Sequence, residues 1–103
     1  MVFSKNGVLI RVTSERWQHI TLGHPEIADY YYEILDAIEN PDIIYEGSND
    51  AKIAVKQLQE REDKFVVVIY KEVNANDGFV INAYLSKKKQ EFDKKTVLWK
   101  QQH

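Results

Sequence analysis

The run Lys64 to Glu72, KFVVVIYKE, constrains this chain more than any other stretch. Its centre, Phe65 to Tyr70, is unbroken apolar sequence rich in β-branched side chains, which crowd a helix and suit an extended backbone. A strand with one wet face alternates; a continuous apolar strand belongs at the centre of a sheet, buried on both faces. Asn74 to Gly78, NANDG, reads as the hairpin loop after it, with the Asp77-Gly78 pair expected at positive φ. Phe79 to Ser86, FVINAYLS, is then the partner strand. Strict alternation puts Phe79, Ile81, Ala83 and Leu85 on one face, and Val80, Asn82, Tyr84 and Ser86 on the other. Ala51 to Leu58, AKIAVKQL, is a further strand, with Ile53 and Val55 opposed to Lys52, Ala54 and Lys56. Gly7 to Val12 reads as a first strand at an edge, Thr96 to Lys100 as a last one, and Lys87 to Lys95 as a lysine-rich loop between strands.

The second constraint is Thr13 to Tyr45, which holds both prolines and two of the three histidines. Thr13 or Ser14 caps a short helix reaching Gln18, on which Trp17 and Ile20 or Thr21 share a face. Gly23 marks its exit. Pro25 pushes His24 out of the helical region and suits the first position of a new helix, so His24 is expected at a helix N-terminus. Ile27, Tyr31, Ile34, Leu35 and Ile38 trace the apolar stripe of a half-buried helix, which Asn40-Pro41 stops.

Together these elements predict an α+β fold: two N-terminal helices packed on one face of a four- to five-stranded, mainly antiparallel twisted sheet. The 103 residues suffice for a single domain spanning 1–103 with one core. An apolar content of 44% is that of a folded rather than a disordered chain. The chain has no cysteine, which excludes disulfides, thiolate nucleophiles and cysteine zinc sites. No apolar run approaches the roughly 18 residues of a membrane span, and no signal peptide opens the chain, so a cytoplasmic protein without a membrane partner is expected.

The net charge of −2 conceals an asymmetry along the chain. His24 to Asp50 carries eight acids and no Lys or Arg, whereas Lys87 to Lys100 carries six lysines against Glu91 and Asp93. A basic, anion-binding face is therefore compatible with the acidic total. Lys52, Lys56, Lys87, Lys88 and Lys89 are candidates to hold phosphates, with Tyr84 able to stack on a base. Read as plain structure, the same lysines would solvate a strand edge and prevent edge-to-edge pairing.

The helix bearing Trp17-Gln18-His19-Ile20, the His24-Pro25-Glu26 step, the Ile38-Glu39-Asn40-Pro41-Asp42 helix end and the later Phe79-Val80-Ile81-Asn82-Ala83-Tyr84 strand before Lys87 carry a resemblance. From about Arg16 to Trp99 the chain resembles the phage-type and toxin-type nucleases of the Barnase-EndoU-Colicin-RelE fold. The resemblance implies a small ribonuclease that needs no metal or other cofactor and belongs to a toxin–antitoxin or phage-linked system. It implies His19 and His24 as the histidine pair, Lys52 or Lys56 as a basic residue from the middle strand, and Ser86 with Lys87 at the end of the late strand. Asn82 takes the place where similar sequences carry a threonine.

The implied chemistry is attack of a ribose 2′-OH on its own phosphate, which needs a base, an acid for the leaving oxygen and a cation for the phosphorane. Histidine is the side chain suited to both proton transfers near neutral pH. In that reading His19, His24, Lys52, Lys56 and Ser86 are catalytic candidates, and Asn82, Tyr84, Lys87, Lys88 and Lys89 hold the RNA. An acidic antitoxin protein would be the partner, with a monomer or a homodimer left open. A metal site of His19, His24 and Glu15 has no helical i, i+4 spacing to support it. Two other classes remain: a non-catalytic module binding RNA or protein on the same lysine-rich sheet face, and a partner protein whose acidic second helix, through Asp29, Glu33 and Asp36, docks a basic surface.

Overall fold

The structure, a computed structural model, describes residues 1–61, 63–88 and 90–102. In chain order it runs β1 (Val2–Phe3), β2 (Leu9–Arg11), α1 (Ser14–Gly23), a 3₁₀ turn over Pro25–Tyr30, α2 (Tyr31–Glu39) and β3 (Ile43–Glu46). A short 3₁₀ turn at Ser48–Asp50 leads to β4 (Lys52–Gln57), β5 (Phe65–Asn74), β6 (Asp77–Ser86) and β7 (Val97–Lys100). Among the described residues the strands form one sheet in the order β1-β2-β6-β5-β4-β3-β7. All neighbours are antiparallel except β2 and β6, which run parallel with Ile10 opposite Gly78 and Arg11 opposite Phe79.

This corrects the predicted architecture. The fold is α+β, but its sheet has seven strands and is mixed, and two of those strands precede the helices. The reason is local. β1 and β2 hold only two and three residues, too few to display an alternation, and are held by a turn in which Gly7 takes φ +78°. Parallel pairing of β2 with β6 requires a long crossover, and the helical stretch between them supplies it.

β5 sits at the centre, between β4 and β6, and is covered on both faces. Val66, Val68 and Tyr70 turn toward the helices, where they join Ile20, Ile27, Ile34, Ala37 and Ile38. Phe65 and Val67 turn the other way, into a second cluster with Ile53 and Phe92, flanked by Tyr45, Val55, Ile69 and Tyr84. The lysine-rich loop is thus also a cover: Phe92 folds back on the sheet, its ring 5.3 Å from that of Tyr45. The sheet bends around α2, which packs on β1, β4 and β5. Lys5, on the β1–β2 turn, stands 5.0 Å over the ring of Trp99 on β7, so the two ends of the sheet meet.

A bulge in β6 changes its faces. Ile69 lies opposite Asn82 but Tyr70 lies opposite Val80, leaving Ile81 as the additional residue. Val80 therefore joins Ala83 and Leu85 on the helix side, against the strict alternation expected, and Asn82, Tyr84 and Ser86 share the other face. The Asn82 side chain accepts a bond from the Ala83 N–H at 2.9 Å, at the irregularity itself. The β5–β6 turn is also tighter than the loop expected: Asn74 pairs with Asp77, so only Ala75 and Asn76 turn. Gly78 lies in the strand and is needed for closeness rather than for positive φ. A Cβ there would come within 2.5 Å of the Lys71 carbonyl oxygen and 2.6 Å of Ile10 Cδ1.

Candidate active site

Thr13 caps α1, its Oγ1 accepting from the Arg16 N–H at 3.1 Å, and the helix runs on past Gln18 to Gly23. His24 ends it, donating its N–H to the Ile20 carbonyl at 2.8 Å. Pro25 opens a six-residue 3₁₀ turn, and α2 begins only at Tyr31. His24 thus caps the carboxyl end of α1, and the amino end of α2 lies elsewhere. His24 does stand at the N-terminus of a helical element with Pro25 at its first position, as expected, but that element is a six-residue 3₁₀ turn and α2 starts only at Tyr31, so the dipole argument built on a long helix falls away.

β2 is short, so among the described residues no strand pairs with the flank of β6 beyond Phe79. α1 and the 3₁₀ turn pack against β6. There the half-exposed His24 ring meets Tyr84, with ring centroids 5.5 Å apart and planes tilted by 32°. His24 Nδ1 is 3.7 Å from Glu26 Oε1. The Tyr84 hydroxyl donates to Glu91 Oε1 at 2.7 Å, and the Ser86 hydroxyl donates to Glu91 Oε2 at 2.8 Å. Ser86 Oγ in turn accepts from the Lys88 N–H at 3.1 Å, which uses one of its two lone pairs while its proton goes to the carboxylate. Burial, and then the Glu91 carboxylate, holds the Tyr84 phenol well above its ordinary pKa, so it remains a proton donor. Lys87 Nζ stands 3.7 Å from Asp63 Oδ2. Lys89 lies outside the described residues.

His19 is not part of this group. It lies on α1 itself, whereas His24 caps the end of that helix with non-helical backbone. His19 lines a shallow groove of about 500 Å³ with Thr13, Glu15, Arg16, Gln18 and Leu22, none of which belongs to the His24–Tyr84–Ser86 group.

Lys52 and Lys56 are also separated from Ser86, because they stand on the helix side of the sheet while Tyr84 and Ser86 stand on the other. Lys52 meets Glu72 at 3.1 Å, and that carboxylate also takes bonds from Ser4 Oγ and, at 3.0 Å, from Asn6 Nδ2. Burial alone would raise the Glu72 pKa; the donors Ser4, Asn6 and Lys52 outweigh it and hold the carboxyl below its usual value. Lys56 bonds the Asn40 carbonyl at 2.8 Å and pairs with Asp36 at 3.1 Å, fastening β4 to the end of α2. For Asp36, too, burial is the largest influence and acts upward, and Asn40 and Lys56 reverse it. Asp36 with Asp29 and Glu33 rims a groove of about 550 Å³ floored by Tyr30, Leu58 and Val66.

Of the residues expected from sequence, the fold therefore gathers His24, Tyr84 and Ser86, with the Lys87-Lys88 backbone alongside. Glu91 completes the group and lies beyond what the sequence pattern indicates. Its signal is faint: one of only two acids in a lysine run, next to the apolar Phe92 that a solvated loop has no reason to carry. Among the described residues no three His, Asp or Glu side chains are placed to share a metal ion, and no helix is long and apolar enough to cross a membrane. Comparison of the chain with protein-family models, with curated proteins and with solved structures returns no match.

Proposed function

We propose that the chain is a small metal-independent ribonuclease, of the toxin type that the resemblance implies, acting at the His24, Tyr84 and Ser86 flank of β6. The observation that carries the reading is one cluster: an imidazole against a tyrosine ring, beside two hydroxyls whose protons converge on a single anionic group. A phosphodiester is an anion with two non-bridging oxygens, and paired O–H donors in a fixed orientation suit it. The Lys88 backbone N–H orients one of those donors, and Lys87 and Lys88 add positive potential at the end of the strand.

In this reading His24 takes the proton from the ribose 2′-OH as that oxygen attacks phosphorus. The same imidazolium then hands the proton to the departing 5′ oxygen, leaving a 2′,3′-cyclic phosphate and a 5′-hydroxyl. Ser86 and Tyr84 donate to the phosphate oxygens as charge builds on them. Lys52 and Lys56 serve the fold, and an acidic antitoxin remains the partner proposed for the lysine-bearing loop.

A matched pair of labelled oligonucleotides tests the reaction class, one all-RNA and one with a single 2′-deoxy residue, each incubated with the protein in EDTA. Cleavage of the RNA, with no cut after the deoxy position, is the result expected. Binding of both without cleavage replaces the enzyme by the non-catalytic module, and cutting of both, the deoxy position included, overturns the mechanism.

A further inference from the structure

The contact that defines the site also closes it. Glu91 Oε1 and Oε2 take the two hydroxyl protons that the proposed function assigns to a phosphate, so the substrate must displace a carboxylate already in place. The segment that delivers Glu91 is built from successive tight turns: the Glu91 N–H bonds the Lys88 carbonyl at 3.1 Å, and the Lys95 N–H bonds the Phe92 carbonyl at 2.9 Å. Its neighbour Phe92, only 7% exposed, is seated among Ile53, Phe65 and Val67. The carboxylate is thus set by an apolar anchor one residue away, while Glu91 itself remains exposed.

From this geometry we propose that residues 90–93 form an autoinhibitory strap, with Glu91 as an internal anion that competes with the RNA phosphate for the Tyr84 and Ser86 hydroxyls. The proposal rests on the RNA-binding reading of this flank and adds its regulation. Two features favour competition over a part in the reaction itself. Both carboxylate oxygens hold the hydroxyl protons that the phosphate would need, so Glu91 and a phosphate cannot occupy the Tyr84 and Ser86 donors at once. And the segment carries lysines on both sides, Lys87 and Lys88 before it and Lys94 and Lys95 after it, so lifting Glu91 leaves Asp93 as the one acid within 90–93 among four lysines.

Fluorescence anisotropy of a labelled RNA oligonucleotide in EDTA tests this, comparing the native chain with Glu91→Ala, Asp93→Ala and the Glu91→Ala, Ser86→Ala double variant, with cleavage read in parallel. Asp93 is the charge control, an exposed acid two positions along the same segment. Glu91→Ala is expected to tighten RNA binding about three- to tenfold. Asp93→Ala is expected to change it less than about twofold, and the double variant to lose most of the gain. Equal gains from Asp93→Ala would mean general charge removal and overturn the strap. Weaker binding or lost cleavage in Glu91→Ala would make the residue part of the machinery and overturn it as well. A gain in binding with no cleavage by any variant would sustain the strap and remove the ribonuclease reading, and failure of every form to bind RNA would remove both.

Discussion

In the proposed reaction His24 works through its position rather than through the dipole of a long helix. Its backbone closes α1 by bonding the Ile20 carbonyl, Pro25 turns the chain away, and the ring is left against Tyr84 on the open flank of β6. A residue in that role is expected to matter far more than the other histidine of the same helix. His24→Ala should lower RNA cleavage by at least about a hundredfold, whereas His19→Ala, on a separate groove, should change it several-fold at most. Initial rates on one oligonucleotide check both. The two histidines are hard to tell apart in sequence, since each lies near an expected helix end; only the length of α1, which continues past Gln18 to Gly23, separates their places. At the same scale Tyr84 and Ser86 could be placed together by alternation, but their partner Glu91 could not. Its place depends on Phe92 returning to the sheet, a contact between distant parts of the chain that no local pattern encodes.

At the scale of elements, β6 shows where pattern reading holds and where it stops. The central strand Phe65–Asn74 and its hairpin partner were legible because apolar runs and turn residues are local signals. The bulge at Ile81 was not: one inserted residue moves Val80 to the helix side while Ala83 and Leu85 remain there, and periodicity has no mark for it. Nor were β1 and the parallel β2–β6 pairing, which depend on what the crossover packs against. Gly78 sits at that pairing. Gly78→Ala must push its methyl into the Lys71 carbonyl and Ile10, and should destabilise the chain by about 2 kcal/mol in denaturant unfolding. The β1–β2 turn is tied to β5 by Glu72, whose pKa is lowered in the folded chain by Ser4, Asn6 and Lys52 against the upward push of burial. A lowered folded pKa means the folded state binds its proton less readily than the unfolded one. The contribution is therefore complete above the unfolded value, about 4.3, and is lost as pH falls through the folded value. Thermal melts from pH 7 downward should show this acid loss in the native chain and a smaller one in Glu72→Gln, which at pH 7 should already be about 2 kcal/mol less stable.

The molecule is a sheet bent around α2, with α1 against β6 and, among the described residues, Phe92 of the lysine-rich segment seated on the second face. Phe92 therefore stabilises the fold and positions the site together. Phe92→Ala should lower stability by about 3 kcal/mol and, by loosening Glu91, should tighten RNA binding at temperatures where the chain remains folded; melts and anisotropy read the two effects separately. The acidic run from His24 to Asp50 and the basic run from Lys87 to Lys100 fall on different parts of this architecture, α2 with its groove and the segment over the far face. The near-neutral total charge thus divides between an acidic helix and a lysine-rich segment. That division was visible in the sequence, although the lysines of β4 proved to be fastenings of the fold, Lys52 to Glu72 and Lys56 to Asp36.

His24 is proposed to drive RNA cleavage at this flank. The most direct measurement incubates the purified native chain and His24→Ala, matched for thermal stability, with total RNA in EDTA and resolves the products by size and end group. Fragments ending in 2′,3′-cyclic phosphate are expected from the native chain, and almost none from His24→Ala. Equal cleavage by both, or none by either, would contradict the proposal.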